Sequence, residues 1–568
     1  MCGIFGCRNM QIDSDDIKIC LQHRGPDAFG SKIADDWNIY HARLSILDLT
    51  EAGTQPMEAD GNIICFNGEI YNHKELYKQY LCDYPLKSAS DTEVLLLLLN
   101  KYGMKILNKL NGMFAFAYYD KKQRKMYLVR DRFGVKPLYY YQKQNQFAFC
   151  SEDRVLFDLL KLPLKFNHKY MERLIENSES DYDELSTFEN IYQVKAGEYI
   201  SIDYQNNIQK YIWYDFTDTE FNKFNFKNQK TVEEYFENLL VDSIRLRNVA
   251  DVNVGITLSG GLDSSLIYVL AKEKLGKDYK IFTYSNAKET LDEFATVNKL
   301  TQEYGDKLTK IEYCEDTMEQ FVESLKYLNA PIWAASHVGY YNVYKRIKEN
   351  NIKVILEGHG ADESLGGWPW TLGHAVGQAF REGKFRLSWK IFKVQQQTWN
   401  TELNQKSNES FRHYLKLLKK FNRKNCFSKL LKNLFDKTVL PINLRCFDRL
   451  SMANSIESRS PFLDYRIVEF LRNLPIEYKV NAIGNKAILR NILLKYNKDY
   501  IVQNKVKQGY LSSEIEFMNQ NSEVLLSYLG DDIDKYDVKD WRDKNISYGY
   551  DTKLYRIIAF KILEKLYN

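Results

Sequence analysis

Apolar residues recur along this chain in two rhythms. Up to about residue 205 they come in short runs: NIICF (62–66), GMFAFAYYD (112–120), KMYLVRD (125–131) and PLYYYQ (137–142). Asn67-Gly68 and Phe133-Gly134 punctuate them, which predicts strands separated by tight turns. One helical run, DTEVLLLLLNKYG, stands among them, so residues 1–205 read as an α+β, sandwich-like unit. Residues 206–231 are polar and aromatic without a clear period and read as a linker. From 232 strands and helices alternate. The strand candidates are VNVGITL (252–258), KIFTYS (280–285), LTKIEY (308–313) and KVILE (353–357). That order predicts an α/β unit over 232–568, with a parallel sheet covered on both faces. Its ligands are expected at the carboxyl ends of the strands. Residues 370–440 read as a mostly helical insertion.

Length supports this division, because 568 residues exceed a single compact core. The nine cysteines form no C-x-x-C pair. This points to a reducing compartment and away from a disulfide framework or structural zinc. The longest aliphatic run, Val94 to Leu99, is far short of the roughly 20 residues of a membrane span. The opening MCGIFGCRNMQIDSDD turns acidic too soon for a signal peptide, so the cytoplasm is the expected address. A net charge of +4 gives no reason to expect a nucleic-acid partner. The charge is uneven, however: residues 381–439 hold fifteen Lys/Arg against four Asp/Glu. That stretch reads as a solvated helical face, or as a docking surface for an anionic partner such as a lipid headgroup or charged glycan.

Four motifs in the second unit carry chemistry. SGGLDSS (259–265) follows a strand and opens a helix, where glycines, hydroxyls and exposed N–H groups suit a phosphate. It lacks the G-K-[ST] ending of a Walker A loop. Asp263 fits the Mg²⁺ that accompanies pyrophosphate. EGHGADESLGG (357–367) suits a loop wrapped closely around a ligand, with Asp362-Glu363 to hold metal or orient a nucleophile. In DRLSMANSIESRSPFLD (448–464), Arg449, Arg459 and Asp464 sit among apolar residues, so either a salt-bridge network or a site is expected. In GNKAILR (484–490), Lys486 offers a cation to a phosphate.

The first unit offers a nucleophile. Removal of Met1 would give Cys2 a free α-amine able to take the thiol's proton. FNGEIYN (66–72) is expected to close a strand with a tight turn, where the Asn67 amide and Gly68 N–H face an oxyanion. Arg43 offers a fork for a carboxylate. Asp91 either receives a substrate ammonium or belongs to the capping box Ser90-Asp91-Thr92-Glu93.

These residues together resemble the glutamine-dependent asparagine synthetases. MCGIFG, HRGPD (23–27), RLSILD (43–48), FNGEIYN, SDTE, GMFAFAYYD, RDRFGVKPLYY (130–140), SGGLDSS, GADE (360–363), DRLSMANSIESRSPFLD and GNKAILR match in family order over nearly the whole chain. The resemblance implies an N-terminal-nucleophile αββα sandwich followed by an ATP-pyrophosphatase-type domain with helical additions. It implies attack by Cys2 on glutamine, with Asn67 and Gly68 as oxyanion donors. Arg43, Glu69 and Asp91 would hold the glutamine backbone groups. It implies ATP and Mg²⁺ as cofactors and an internal ammonia tunnel. The nucleotide set would be Leu258, Ser259, Gly260, Gly261, Asp263, Ser264 and Gly358, with Lys486 on the phosphates and Asp263 and Asp362 on metal. Aspartate is the expected acceptor, a uronic acid the alternative, and a homodimer is allowed. One departure stands out. Similar bacterial enzymes read S-G-E-G-A-D-E, whereas this chain has Glu357 at the serine position and His359 at the acidic one. His359 either accepts a proton from ammonia as a neutral imidazole or signals a different acceptor. Trp368 and Trp370, just after the loop, either offer an aromatic face to a sugar or pack in the core, and core packing is the expectation.

Overall fold

Strict alternation builds the first unit. In the strand Asn62–Ile70, Ile63 and Cys65 enter one core while Ile64 and Phe66 enter another, as a period of two requires. The strand is therefore buried on both faces. The computed structural model describes residues 2–568 apart from 217–219, 286–293, 313–316, 333, 403–409, 422, 504–510 and 548–550. Tyr313 of one expected strand, and 403–409 and 422 of the basic stretch, lie outside the described residues.

The first strands in chain order are β1 (Gly3–Arg8), β2 (Ala28–Ala34), β3 (Trp37–Arg43), β4 (Met57–Ala59), β5 (Asn62–Ile70) and β6 (Gly112–Asp120). Next come β7 (Lys125–Arg130), β8 (Tyr139–Lys143), β9 (Gln146–Cys150), β10 (Ile191–Gln193), β11 (Glu198–Ile202) and β12 (Ile208–Ile212). They form two six-stranded antiparallel sheets, ordered β10-β8-β9-β1-β3-β2 and β12-β11-β7-β6-β5-β4. Between the sheets lies a core that includes Trp37, Phe149 and Leu128. Helices Ser14–Leu21 and Asp153–Leu159 cover one outer face, and helix Asp91–Tyr102 covers the other. The layers are helix, sheet, sheet, helix. Residues 208–212, expected within the linker, are instead the edge strand of the second sheet, paired with β11 from Ile202↔Ile208 to Glu198↔Ile212.

The second unit holds a five-stranded parallel sheet of β13 (Val254–Thr257), β14 (Lys280–Ser285), β15 (Leu308–Glu312), β16 (Val354–Leu356) and β17 (Glu457–Arg459). The order is β15-β14-β13-β16-β17, so the winding reverses between β13 and β16. The loops leaving those two strands are SGGLDSS and EGHGADE. They meet where doubly wound sheets open a crevice. No helix among the described residues is long and apolar enough to cross a membrane.

The units are joined by charge. Helix Leu440–Ala453 carries its polar side chains into the first unit. Arg449 lies 2.8 Å from Glu152 and 2.9 Å from Asp153. Asp448 lies 2.9 Å from Arg24, which also reaches Glu152 at 2.8 Å. Arg445 joins Asp153 at 3.1 Å and Asp181 at 3.0 Å. All of these groups are buried. Of the two readings of DRLSMANSIESRSPFLD, the salt-bridge network is present, and it spans the two units.

Burial alone would raise Glu152, yet Arg449, His23 and Arg24 hold it well below the usual carboxylate range. Asp153 and Asp448 are likewise lowered, against burial, by Arg445 and Arg24 respectively. Their stabilisation is therefore complete above the ordinary carboxylate range and is lost as pH falls below about 4. Removing one buried partner strands the others. Arg449→Ala is expected to cost ~3–5 kcal/mol and to move acid unfolding to higher pH. An unchanged thermal midpoint at neutral pH would show that the network does not hold the units together.

Candidate active sites

Cys2 precedes β1 and is buried at the junction of the two sandwich sheets, where β1 approaches β5. Its N–H donates to Asn67 Oδ1 at 3.0 Å. The other end of that amide, Asn67 Nδ2, is buried without a protein partner. A buried amide donor left unspent is costly unless a ligand oxygen takes it. That is the arrangement an oxyanion donor needs. The expected tight turn at Asn67-Gly68 is absent: β5 runs on to Ile70, with Asn67 and Gly68 paired to Ala115 and Phe114. Gly68 has φ +146°, and a Cβ there would lie 2.1 Å from the Met113 carbonyl oxygen, so only glycine fits.

Arg43, at the end of β3, donates to the Thr50 carbonyl at 2.8 Å, the Leu47 carbonyl at 3.2 Å and the Asp48 carbonyl. The 47–50 loop thus fixes its guanidinium. Burial pushes the Cys2 thiol up, while the Leu44 backbone and the Arg43 charge pull it down; burial prevails. The nucleophile therefore needs a base when it reacts. Glu69 and Asp91 are both buried. Burial, then the Asp91 charge, pushes Glu69 well above the usual carboxylate range, and burial also raises Asp91. Two raised carboxylates make a receptor for a cation such as a substrate ammonium. Asp91 accepts the Ile70 N–H at 2.7 Å, while the helix cap is Ser90. The expected capping box does not close, because Glu93 turns to the N–H groups of Lys87 and Ser88.

In the second unit, Ser259 and Ser264 close the phosphate loop on itself, Oγ to Oγ at 3.3 Å. Gly260 has φ +74°. A Cβ on Gly358 would sit 2.9 Å from Asp263 Cβ and 3.0 Å from the Ser264 nitrogen, so the two loops touch. Leu258 and Gly261 flank the turn. The Leu258 N–H already donates to Phe282 O at 2.8 Å. Lys486 Nζ stands 2.5 Å from Asp263 and 2.6 Å from Asp362. Two carboxylates thus converge on one cation position beside the phosphate loop. Hard oxygen donors in that geometry fit Mg²⁺. Among the described residues no group of three or more His, Cys, Asp or Glu is placed to hold a metal, so phosphate oxygens would complete the set.

His359 Nε2 lies 3.3 Å from Glu357 Oε2, and its ring stacks on Phe447 with centroids 3.5 Å apart. Glu357 is buried and accepts from Tyr344 at 2.8 Å and from Ser458. Burial would raise Glu357, but His359, Ser458 and Tyr344 lower it. Trp368 is partly buried as expected; Trp370 is 47% exposed, stacked on it at 6.1 Å.

Sequence reasoning named Arg459 but missed Glu457, which braces it between the sites. Arg459 lies 3.3 Å from Glu69 and 2.5 Å from Glu457, and both partners are buried. The Arg459–Glu457 pair is two positions apart, but the Arg459–Glu69 contact spans hundreds of positions and leaves no local pattern.

Two sequence profiles match this architecture. That of the glutamine amidotransferase domain matches residues 1–214, and that of asparagine synthase matches residues 235–544. The chain belongs to the asparagine synthase family. Membership carries the reaction type, an ATP-dependent carbon–nitrogen ligation with glutamine as amido donor. Asparagine synthetase [glutamine-hydrolyzing] 2 of Bacillus subtilis is 30% identical over 542 residues, 87% of this chain and 69% of that protein. Asparagine synthetase B of Escherichia coli is 28% identical over 65% of each chain. Amidase chry2 of Gibberella zeae is 25% identical over 86% of this chain and 83% of that protein.

Losing the unspent amide tests the first site. Asn67→Ala is expected to lower glutamine hydrolysis ~10²–10³-fold, read as glutamate release, while ammonia-dependent pyrophosphate release persists. Unchanged hydrolysis would remove Asn67 from the oxyanion hole.

Proposed function

We propose that this chain makes asparagine from aspartate with glutamine as nitrogen source. The observation that carries the reading is the unspent Asn67 amide beside Cys2, in a chain whose second unit builds a phosphate loop. Cys2 attacks the glutamine side-chain amide, and its thiol proton passes to the α-amine exposed by Met1 removal. Asn67 and the Gly68 N–H hold the oxyanion. Glu69 and Asp91 hold the glutamine ammonium, and Arg43 its carboxylate. Ammonia leaves, and water later releases glutamate from the thioester. The ammonia travels inside the protein to the second unit, which keeps it unprotonated.

There the acceptor carboxylate attacks the α-phosphorus of ATP and pyrophosphate departs. Ser259, Gly260, Gly261 and Ser264 receive the phosphates, and Gly358 keeps the facing loop out of their way. Asp263 and Asp362 would hold Mg²⁺, which supplies charge neutralisation on the phosphates. Lys486 adds a second cation there. Ammonia then attacks the acyl-adenylate carbonyl, AMP leaves, and one proton must go. With Nε2 turned to Glu357, the Nδ1 of His359 is the free acceptor for that proton.

The Glu357–His359 pair also supports a second reading. It keeps both half-reactions and replaces aspartate with another carboxylate, such as a uronic acid. One experiment separates the two. With ATP, Mg²⁺ and glutamine, aspartate is expected to raise pyrophosphate release, with asparagine and AMP formed one-for-one. Glutamine hydrolysis without any response to aspartate, but with a response to a sugar acid, would replace the first reading with the second. Asp263→Ala is expected to abolish AMP formation and spare glutaminase. Retained AMP formation would remove Asp263 from the nucleotide site.

A further inference from the structure

The helices that follow the acceptor loop carry a surface that neither site uses. Residues 385–398 and 410–433 hold eleven Lys/Arg and no Asp/Glu. All eleven are exposed, and among the described residues none pairs with a carboxylate. Lys384, one residue before this stretch, shows the contrast: it reaches Glu382 at 2.9 Å and Glu477 at 2.6 Å. Cations crowded together without counter-charges repel one another and gain from an anionic partner.

The patch is also apolar. Phe385 is 58%, Phe411 62% and Leu415 49% exposed. Phe411 and Leu415 lie one turn apart on helix Phe411–Lys420, flanked by the exposed cations Arg412, Lys416 and Lys419. Ring contacts make the surface continuous: Phe380 meets Phe385 at 4.9 Å, and Trp389 meets Phe411 at 6.2 Å. The same helix buries Tyr414 and Leu417, so its inner face is satisfied and the outer apolar residues are surplus to folding.

From this juxtaposition we propose that helices Phe385–Glu402 and Phe411–Lys420 dock the protein onto an anionic lipid surface. The cations meet headgroup phosphates, and Phe385, Phe411 and Leu415 enter the acyl boundary. An interfacial helix has this composition, with Lys and Arg beside Phe and Leu. A dissolved polyanion would satisfy the charges yet leave the exposed Phe and Leu in water, which favours the lipid. The docked layer packs on the acceptor loop, because helix Cys426–Asn433 contacts helix Ala361–Leu365.

The test is sedimentation of the full-length protein with vesicles of phosphatidylcholine alone, or with about a third phosphatidylglycerol. Binding is expected only to the anionic vesicles, with release on raising salt from ~0.1 M to ~0.5 M. K416E/K419E and F411S/L415S are each expected to weaken partition roughly tenfold or more. Unchanged glutamine hydrolysis serves as the folding control. No binding to anionic vesicles overturns the proposal. So does vesicle binding that K416E/K419E abolishes and F411S/L415S leaves intact, because the attachment is then by charge alone, with no apolar insertion.

Discussion

Everything in this molecule rests on charges that leave water together. Arg24, Arg445 and Arg449 cross between the units to Glu152, Asp153, Asp181 and Asp448. Such ions are expensive to bury singly and tolerable only as a closed set. The set closes only when helix Leu440–Ala453 is fully seated against the first unit. An apolar interface of the same size could slide, whereas this one has a single register. Cys2 is tied to it directly, since Arg24 Nε also donates to the Cys2 carbonyl at 3.1 Å. The position of Cys2 and the docking of the second unit are thus tied to one guanidinium.

The same economy governs the second site. Asp263 and Asp362 share the single cation of Lys486 beside the SGGLDSS loop. Lys486 sits at φ +51° at the start of helix Ala487–Lys495, a conformation unusual for a lysine and paid for by the surrounding fold.

Much of this was legible in order of sequence. KIFTYS matched its strand residue for residue, LTKIEY matched over its described residues Leu308–Glu312, and VNVGITL and KVILE were trimmed at both ends to Val254–Thr257 and Val354–Leu356. These runs were readable because a parallel strand buried on both faces must be apolar. The strand Glu457-Ser458-Arg459 escaped notice for the opposite reason. It has no apolar residue, and its burial is compensated by Glu69, Tyr344's partner Glu357 and the 247–249 backbone, all remote in sequence. The individual site residues were legible as motifs. Their pairing was not, because Asn67 with Cys2 and Lys486 with both aspartates are tertiary facts. The misplaced turn at Asn67-Gly68 has the same origin: a dipeptide that favours hairpins was overridden by nine residues of ladder.

β17 has one further consequence. Its side chains alternate, so Glu457 and Arg459 face the first unit through Glu69, while Ser458 faces His359 through Glu357. The two candidate sites therefore share a wall one strand thick, divided between them by odd and even position. An insertion or deletion here would exchange the two faces at once, because a shift of one residue turns every side chain of a strand to the other side.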